Sequence, residues 1–529
     1  MQISDVKNKS FGKIRNFLWP IHHFELKKLI PMFALFFMIS FVYNVLRNLK
    51  VSLFMDGSSS FAELMPFLKL GAVLPGALFF TYIFTLLISR FTREHVFYII
   101  LSGFMAYFAL FLFVLYPNDQ YLRLDAVADF LQINIFSNAG FGGFIAAIRY
   151  LNLTIFYVIC EMWSVVVLSM MFWGFANEVT KVEEAKRFYA IFALGANSSG
   201  ILSGGFGQIE GLSFLPVTPF YVNNEWIFLQ LCAVLVIGFV VMYLFHWLNK
   251  EVFHLENAHI KLTKKTEKLS LKECFYYLSR SRYLLYMVII VVGYNVVYNL
   301  GDNMWVYKIQ KMFPNKRDAN AYMNNITSIT GYIAVILALL LSGNVIRRFG
   351  WTVAALITPI VWLLTGMSFY SGLVFEQAVF FDVLSAFVSN PANLVLLLGS
   401  IQIALGRACK YTVFDEAKEI AFIPLPKENQ RKGKAVVDGL ASRFGKSGGS
   451  LILMLLGLIG SKEEIIPYVS GIVFIALIAW LYATYKMGII VDKAISGDGS
   501  LLIEEEGILS EQNRRRTARA GSSAVPQTN

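Results

Sequence analysis

The hydrophobic residues of this chain are concentrated in twelve long runs, and short polar segments separate one run from the next. Each run holds roughly 18–25 residues, the length that a tilted helix needs to cross a lipid bilayer. This pattern predicts an all-α membrane protein with about twelve transmembrane helices. The runs lie at about residues 29–46, 68–89, 96–116, 151–175, 188–208, 227–247, 283–301, 322–343, 351–372, 391–408, 436–460 and 466–488.

The twelve runs divide into two groups of six. The loop after the second run (SRFTRE) is similar to the loop after the eighth (NVIRRFG), and a polar segment separates the groups. Parallel repeats of this kind are typical of transporters in which two bundles enclose the substrate. The pattern therefore predicts two six-helix halves in a major-facilitator-like arrangement. The predicted segments are a cytoplasmic N-terminal segment (1–28), an N-terminal bundle (29–247), a cytoplasmic linker (248–282), a C-terminal bundle (283–488) and a polar, disordered tail (489–529).

The composition agrees with a membrane protein. Of the 529 residues, 57% are hydrophobic and 15% are charged, whereas a soluble domain has about 45–50% apolar and about 25% charged residues. The net charge of +11 could indicate a nucleic-acid partner. Most basic residues lie in short loops between apolar runs, however, as expected for loops on the cytoplasmic side. We therefore predict no nucleic-acid partner, and we predict that both termini are cytoplasmic.

The motifs give no support to a metal site or a cofactor. The four cysteines contain no CxxC pair, and the six histidines contain no HExxH pattern. The sequence Gly-Lys-Ser at 445–447 resembles part of a phosphate-binding P-loop. The spacing from Gly439 is one residue too long, however, and Phe444 stands where the second glycine is needed. We expect no metal, no cofactor and no nucleotide-hydrolysing loop.

Two pairs of cations lie within apolar runs or at their ends. Arg47 and Lys50 end the first run, and Arg443 and Lys446 lie inside the eleventh. In each pair, the spacing of three residues places both side chains on one side of a helix. A cation near the middle of a bilayer costs about 2.5–3.5 kcal/mol on insertion scales, so it needs an anion or a wet cavity. We predict that all four cations bind phosphate groups of a polyanionic substrate, although the first pair could instead reach the membrane surface from its helix end.

Two carboxylates also lie among apolar residues. Glu161, in the fourth run, is too deep to reach the surface easily, so it needs a proton or a cation as its partner. Asp302 lies near the outer end of the seventh run. We predict that both carboxylates neutralise the cations when the substrate is absent, and that Glu161 can carry a proton. Lys69 and Lys410, near helix ends, are weaker candidates.

Longer motifs occur at several points of the chain. They are FLWPIHHFELKK, MPFLKL, GFANEVTKVEEAKRFYA, GNVIRRFGW, KYTVFDEAKEIAFIPL and GKAVVDGLASRFGKSGGS. Together they resemble the ATP/ADP translocase family of obligate intracellular bacteria and plastids, over roughly residues 12–490. The resemblance implies nucleotide transport through twelve helices across a bacterial inner membrane. It also implies that Lys50, Glu161 and Lys446 are essential charges, with Asp302 where the exchangers usually have glutamate.

The sequence departs from the exchangers of that family at the end of the first run. Arg47-Asn48-Leu49-Lys50-Val51 stands where they typically have Arg-Asp-Thr-Lys-Asp. The loss of two acidic residues there, with Asp302 in place of glutamate, counts against strict ATP/ADP exchange. The resemblance extends to family members that import nucleoside triphosphates together with protons, so we expect import of ATP and other nucleoside triphosphates with protons, and ATP/ADP exchange remains the alternative. A polytopic membrane enzyme is a remote alternative, because Asp415-Glu416 is the nearest approach to a reactive pair, and a receptor without flux is another.

Overall fold

The computed structural model describes residues 21–55, 61–180, 182–209, 221, 224–250, 281–341, 344–376, 390–422, 433–434, 437 and 441–495. Within these residues the chain forms twelve long helices, and each of them overlaps one of the predicted apolar runs. The all-α fold class is therefore confirmed. In chain order the long helices are α1 (Leu26–Ser52), α2 (Phe61–Arg90), α3 (Arg93–Leu115), α4 (Leu151–Val179), α5 (Val182–Phe206), α6 (Glu225–Leu248), α7 (Arg282–Met312), α8 (Lys316–Leu341), α9 (Asn344–Phe375), α10 (Pro391–Ala421), α11 (Ser442–Gly457) and α12 (Lys462–Ile495).

Ten of these helices are long and apolar enough to cross a membrane, and α5 and α11 are the other two. Helix α5 begins with the charged sequence VEEAKR, and the 16 residues of α11 include two cations. Both helices also contain clusters of glycine and serine, which lower the mean hydropathy. Small residues let helix backbones approach one another closely within a membrane.

Helices α5 and α8 show this close approach. A Cβ atom at Gly204 of α5 would lie 2.4 Å from the backbone oxygen of Asn324 in α8. At Gly331 of α8, a Cβ atom would lie 2.8 Å from the backbone nitrogen of Ile201 in α5. The two helices therefore cross at a distance that only glycine permits at these positions.

Within the described residues, four of the long helices have a π-helical stretch of five residues or more, and two of these stretches are relevant to the site described below. The π-helical stretch of α4 covers Trp163–Phe172, and that of α10 covers Lys410–Phe414. Such turns are frequently found at functional positions. Because the helix continues through its π turn, α10 extends to Ala421, well beyond the predicted end at 408.

Helix α9 is interrupted at Gly350, where φ is +84°. A residue with a side chain is strained in this left-handed region, so glycine suits the position. Immediately after the break, the backbone N–H groups of Trp351 and Thr352 donate to the carboxylate of Asp492, at 2.9 and 3.4 Å. Asp492 belongs to α12, which continues to Ile495 although 488 was the predicted end of the last run. The last helix therefore caps the main part of α9.

We call the side on which α1 begins the near face and the side on which it ends the far face. Close to the far face, buried polar side chains join α1 to α8. The amide of Asn48 donates to Asn324 Oδ1 at 2.8 Å and to Thr327 Oγ1 at 2.9 Å. The hydroxyl of Ser52 accepts from Asn320 Nδ2 at 2.9 Å. These contacts close the far half of the space between the first six helices and the last six.

Parts of three predicted segments lie outside the described residues. They are residues 1–20 of the N-terminal segment, residues 251–280 of the linker and residues 496–529 of the tail. The boundaries of the predicted segments therefore stay predictions.

Candidate substrate site

A cavity of about 590 Å³ lies between the first six helices and the last six. Helices α1, α4, α5, α7, α8, α10 and α11 supply its walls. The cavity extends from the middle of α1 towards the near face, where α10 ends and α11 begins. The polar contacts between α1 and α8 lie on its far side. Its wall includes five basic side chains and one acidic side chain, namely Arg47, Arg407, Lys410, Lys418, Lys446 and Asp415.

Arg407 occupies the centre of this cationic wall. Its side chain is 4% exposed, and its Nη2 atom lies 2.9 Å from Asp302 Oδ1. Its Nε atom donates to the hydroxyl of Tyr298 at 3.1 Å, and its guanidinium carbon lies 5.4 Å from the ring centre of Trp305. Arg47 Nη2 donates to the same tyrosine hydroxyl at 3.3 Å. Tyr298 therefore holds together arginines that come from the first and the tenth helix.

The predicted cation Lys50 forms an ion pair with the predicted carboxylate Glu161. The Lys50 ammonium also lies 4.6 Å from the ring centre of Tyr157. Lys50 is almost fully buried, whereas the Glu161 side chain is 26% exposed. Neither residue is part of the cavity lining. The pair lies about one helical turn beyond Arg47, towards the far face.

Asp302 also contacts cations, but not those that the sequence suggested. The carboxylate accepts hydrogen bonds from Arg407 at 2.9 Å and from Lys69 at 3.4 Å. Lys69 was only a weaker candidate in the sequence analysis. The carboxylate is buried beside the cavity. Asp302 therefore forms ion pairs with two cations at once.

The structure places the two predicted cations of α11 differently. Both side chains are exposed, but Lys446 lines the cavity whereas Arg443 is not part of the lining. Three residues turn an α-helix through about 300°, so the two side chains point about 60° apart. The rotation of α11 is set by its contact with α7, where Cβ atoms at Gly445 and Gly449 would lie 2.7 and 3.0 Å from side chains of α7. The predicted phosphate-binding role of Arg443 thus has no support from the cavity lining and stays a prediction.

The end of α10 adds a cluster that the sequence analysis had largely missed. Lys410 forms an ion pair with Asp415 at 2.9 Å, and its ammonium lies 4.4 Å from the ring centre of Tyr411. Arg407 and Lys410 have the same three-residue spacing as the two predicted pairs. That spacing was the available signal for Arg407, which was overlooked because it lies at the edge of its apolar run.

Lys418 of the cavity wall lies 3.8 Å from Glu419. Apart from that pair, the cavity and its immediate surroundings combine six basic side chains with three carboxylates among the described residues, which leaves a net charge of +3. The carboxylates are Glu161, Asp302 and Asp415, and each is paired with at least one cation. The basic residues are Arg47, Lys50, Lys69, Arg407, Lys410 and Lys446. Such an excess of positive charge in a cavity between membrane-spanning helices favours the binding of an anion.

Comparison with known proteins adds a family and a fold. The family model described as "TLC ATP/ADP transporter" matches residues 4–489. The chain is 40% identical over 497 residues to ADP,ATP carrier protein 1 of Chlamydia trachomatis, a match that covers 92% of each chain. It is 33% identical over 491 residues to ADP,ATP carrier protein 1 of Rickettsia bellii, covering 91% of this chain and 97% of that relative.

A solved structure of similar shape is that of a bacterial homologue of the iron transporter ferroportin in an inward-facing state. Its TM-score is 0.51 at 12% sequence identity, and the match covers 88% of this chain and all of the other. At this identity the likeness shows the fold alone. That fold agrees with the major-facilitator-like arrangement predicted from the sequence.

Proposed function

Because the chain belongs to the TLC ATP/ADP transporter family, we propose that it imports nucleoside triphosphates across the bacterial inner membrane by alternating access. The family is one of transporters, so the chain is not an enzyme. In this proposal the bundles at 29–247 and 283–488 move relative to each other around the cavity. The nucleotide, the lipid bilayer and protons are the partners.

The observation that carries the proposal is the cationic wall of the cavity. Arg47, Arg407, Lys410 and Lys446 line a space that also contains uncharged polar and aromatic side chains. Arginine and lysine bind phosphate oxygens by charge-assisted hydrogen bonds. A net charge of +3 in and around the cavity is of the same order as the negative charge of a nucleoside di- or triphosphate. The phosphate chain would therefore lie against α10 and α11.

We assign the near face to the cytoplasm. The basic residues of the segment 1–28 precede α1 or lie in its first turn, in agreement with the positive-inside rule for a cytoplasmic near face. An even number of spans then returns the C-terminus to the same side. Because the contacts of α1 with α8 close the far side, this assignment would make the carrier open towards the cytoplasm.

Proton symport is the coupling mode that we favour. Lys50 and Glu161 neutralise each other in the empty carrier. A phosphate that attracts Lys50 would leave Glu161 without its cation, and an unpaired buried carboxylate favours protonation. Protonation of Glu161 would add one positive charge to the site, which matches the one additional charge of a triphosphate compared with a diphosphate.

ATP/ADP exchange is the second candidate, because the curated relatives are named ADP,ATP carrier proteins. A physical argument also favours it. Enclosing an empty cavity of net charge +3 in a medium of low dielectric constant is costly, whereas a bound nucleotide neutralises that charge. A carrier of this kind would reorient mainly when it is loaded, which is the condition for exchange.

The test is uptake of labelled ATP by proteoliposomes that contain the purified protein. We expect Lys446→Ala to reduce uptake about tenfold or more, since charge-assisted hydrogen bonds are lost. Lys434→Ala is the matched control, because Lys434 is exposed, pairs with Glu419 and does not line the cavity. If folded wild-type protein takes up no nucleotide, or if Lys446→Ala transports normally, the proposed site is wrong.

The same proteoliposomes separate the two coupling modes. Symport predicts that an inward proton gradient accelerates ATP uptake, and that Glu161→Gln removes this dependence. Exchange predicts that ADP inside the vesicles accelerates uptake and that the proton gradient has no effect.

A further inference from the structure

On the far face, the segment that joins α3 to α4 exposes a series of large apolar side chains. The segment contains a ten-residue helix, Asp125–Asn134, which we call the connector helix. Six large apolar side chains in and beside this helix are exposed, and two of them, Tyr121 and Ile133, are 78% and 75% exposed. The six are Tyr121, Leu122, Val127, Phe130, Ile133 and Ile135. Such a concentration of exposed apolar side chains marks a surface that another molecule covers.

The connector helix has three sides with different properties. On one side, Ala128 is buried. On the next, the carboxylates of Asp125 and Asp129 form ion pairs with Arg149, at 3.0 and 2.6 Å. Each residue turns an α-helix by about 100°, so Phe130 lies about 140° around the helix from Asp125. The exposed ring of Phe130 therefore points away from the ion-paired side.

Both ends of the connector helix are held at the level where membrane-spanning helices begin or end. At its start, the backbone N–H of Leu124 donates to the carbonyl oxygen of Arg149 at 3.1 Å, and α4 begins two residues later at Leu151. Shortly after its end, a Cβ atom at Gly140 would lie 2.5 Å from the backbone oxygen of Gly457, the last residue of α11. A helix held in this way runs along the boundary between acyl chains and headgroups.

The lipid surface is the partner that these observations favour. Exposed apolar side chains continue from the connector segment onto the neighbouring spans, at Phe113 and Val114 of α3 and at Leu151 and Ile155 of α4. In a membrane-spanning chain, such side chains contact lipid. The connector helix contains no lysine or arginine. Its contact with a bilayer therefore depends on apolar area and not on attraction to anionic lipids.

We propose that the connector helix lies in the interface of the bilayer on the far side. In this position Val127, Phe130 and Ile133 enter the outer part of the acyl-chain region, and the carboxylates of Asp125 and Asp129 stay in water. Helices of this kind bury their apolar side about 5–10 Å into the boundary between headgroups and acyl chains. A zwitterionic lipid is sufficient, because the helix has no basic side chain that needs an anionic headgroup. This placement does not depend on which substrate the carrier transports.

The test compares Phe130→Cys with Gln132→Cys, each in the full chain without its natural cysteines. Gln132 is exposed and lies about 160° around the helix from Phe130, so it is the matched control. Each cysteine carries a nitroxide label, and the protein is placed in phosphatidylcholine nanodiscs with one copy per disc. The probes are oxygen, which concentrates among acyl chains, and a nickel chelate, which stays in water. The label at position 130 should collide more often with oxygen, and less often with the chelate, than the label at position 132. Addition of phosphatidylglycerol should change neither result.

Each alternative gives a different result, and each overturns the proposal. If the label at position 130 meets the chelate as often as the label at position 132, the apolar side faces water. If it is protected from both probes, another part of this chain covers it. If it is protected from both probes in densely loaded vesicles but meets the chelate in nanodiscs, a second copy covers it. Ile133→Cys supplies a second label beside Phe130, and the 75% exposure of Ile133 means that its replacement removes little packing. A folding defect of Phe130→Cys therefore leaves the test intact.

Discussion

Removing Asp302 should destabilise the protein more than removing either of the cations that it contacts. Asp302 lies 2.9 Å from Arg407 and 3.4 Å from Lys69, and the two cationic side chains are only 4% and 19% exposed. In Asp302→Leu both cations lose their carboxylate. Breaking a buried ion pair by removing one partner costs about 3–5 kcal/mol. In Arg407→Met the contact between Asp302 and Lys69 remains, so we expect a smaller loss of about 1.5–3 kcal/mol from the missing charge-assisted hydrogen bonds.

The double variant provides the decisive comparison. In the variant with both Asp302→Leu and Arg407→Met, only Lys69 has lost its contact with the carboxylate of Asp302, whereas in Asp302→Leu both Lys69 and Arg407 have lost it. The second substitution should therefore recover stability, by on the order of 1 kcal/mol or more. The measurement is the midpoint of thermal unfolding of each purified variant in detergent, followed by tryptophan fluorescence. All three variants should lose nucleotide uptake, so stability separates them and transport does not.

A surface ion pair supplies the control. Asp125 is 53% exposed and lies 3.0 Å from Arg149, which keeps a second contact with Asp129 at 2.6 Å. Asp125→Leu should lower stability by no more than about 1 kcal/mol. If the double variant unfolds at or below the midpoint of Asp302→Leu, Asp302 does not stabilise both cations and the charge assignment is wrong.

Two further predictions concern the contact between the first six helices and the last six. Gly204→Val should lower the midpoint of thermal unfolding, because the added Cβ would lie 2.4 Å from the backbone oxygen of Asn324. We expect a loss of stability of about 1–3 kcal/mol. The control is Gly205→Val, which should be close to neutral, because no atom lies within 4 Å of a Cβ added at Gly205. The second prediction uses Ser52→Cys as a labelling site in a protein without its natural cysteines. Asn48→Leu removes the two hydrogen bonds to α8, so it should increase labelling of this cysteine by a membrane-impermeant thiol reagent added from the far side. Unchanged labelling would contradict the role of Asn48 in closing the far face.

The sequence could predict the helices and one of the charge pairs because both follow from the cost of exposing polar groups to lipid. An apolar run of sufficient length must form a helix, since every backbone group needs a hydrogen bond inside a membrane. A deep carboxylate such as Glu161 must have a partner, and Lys50 was among the predicted cations. The structure pairs these two residues.

The rest of the site depends on information that spacing does not contain. The spacing of Arg443 and Lys446 fixes the angle between them but not the rotation of α11, which its glycine contacts with α7 determine. The sequence KYTVFDEAK has the composition of a loop, so the tenth run was predicted to end at 408. It is part of a helix that faces a wet cavity, where polar residues are tolerated within a membrane. Arg407 was overlooked because it lies at the end of the predicted run, next to residues that were interpreted as a loop.

The carboxylate of Asp492 has a consequence for how the protein is made. It accepts hydrogen bonds from the start of the main part of α9, which lies 141 residues earlier in the chain. A ribosome therefore synthesises α9 and all of α10 and α11 before the group that caps α9 exists. During this interval, the first N–H groups of α9 after Gly350 depend on water or on the insertion machinery for their hydrogen bonds. These N–H groups of α9 gain their carboxylate acceptor only when α12 has been synthesised. A nascent chain that stops before Asp492 therefore lacks the cap of α9 in its second bundle.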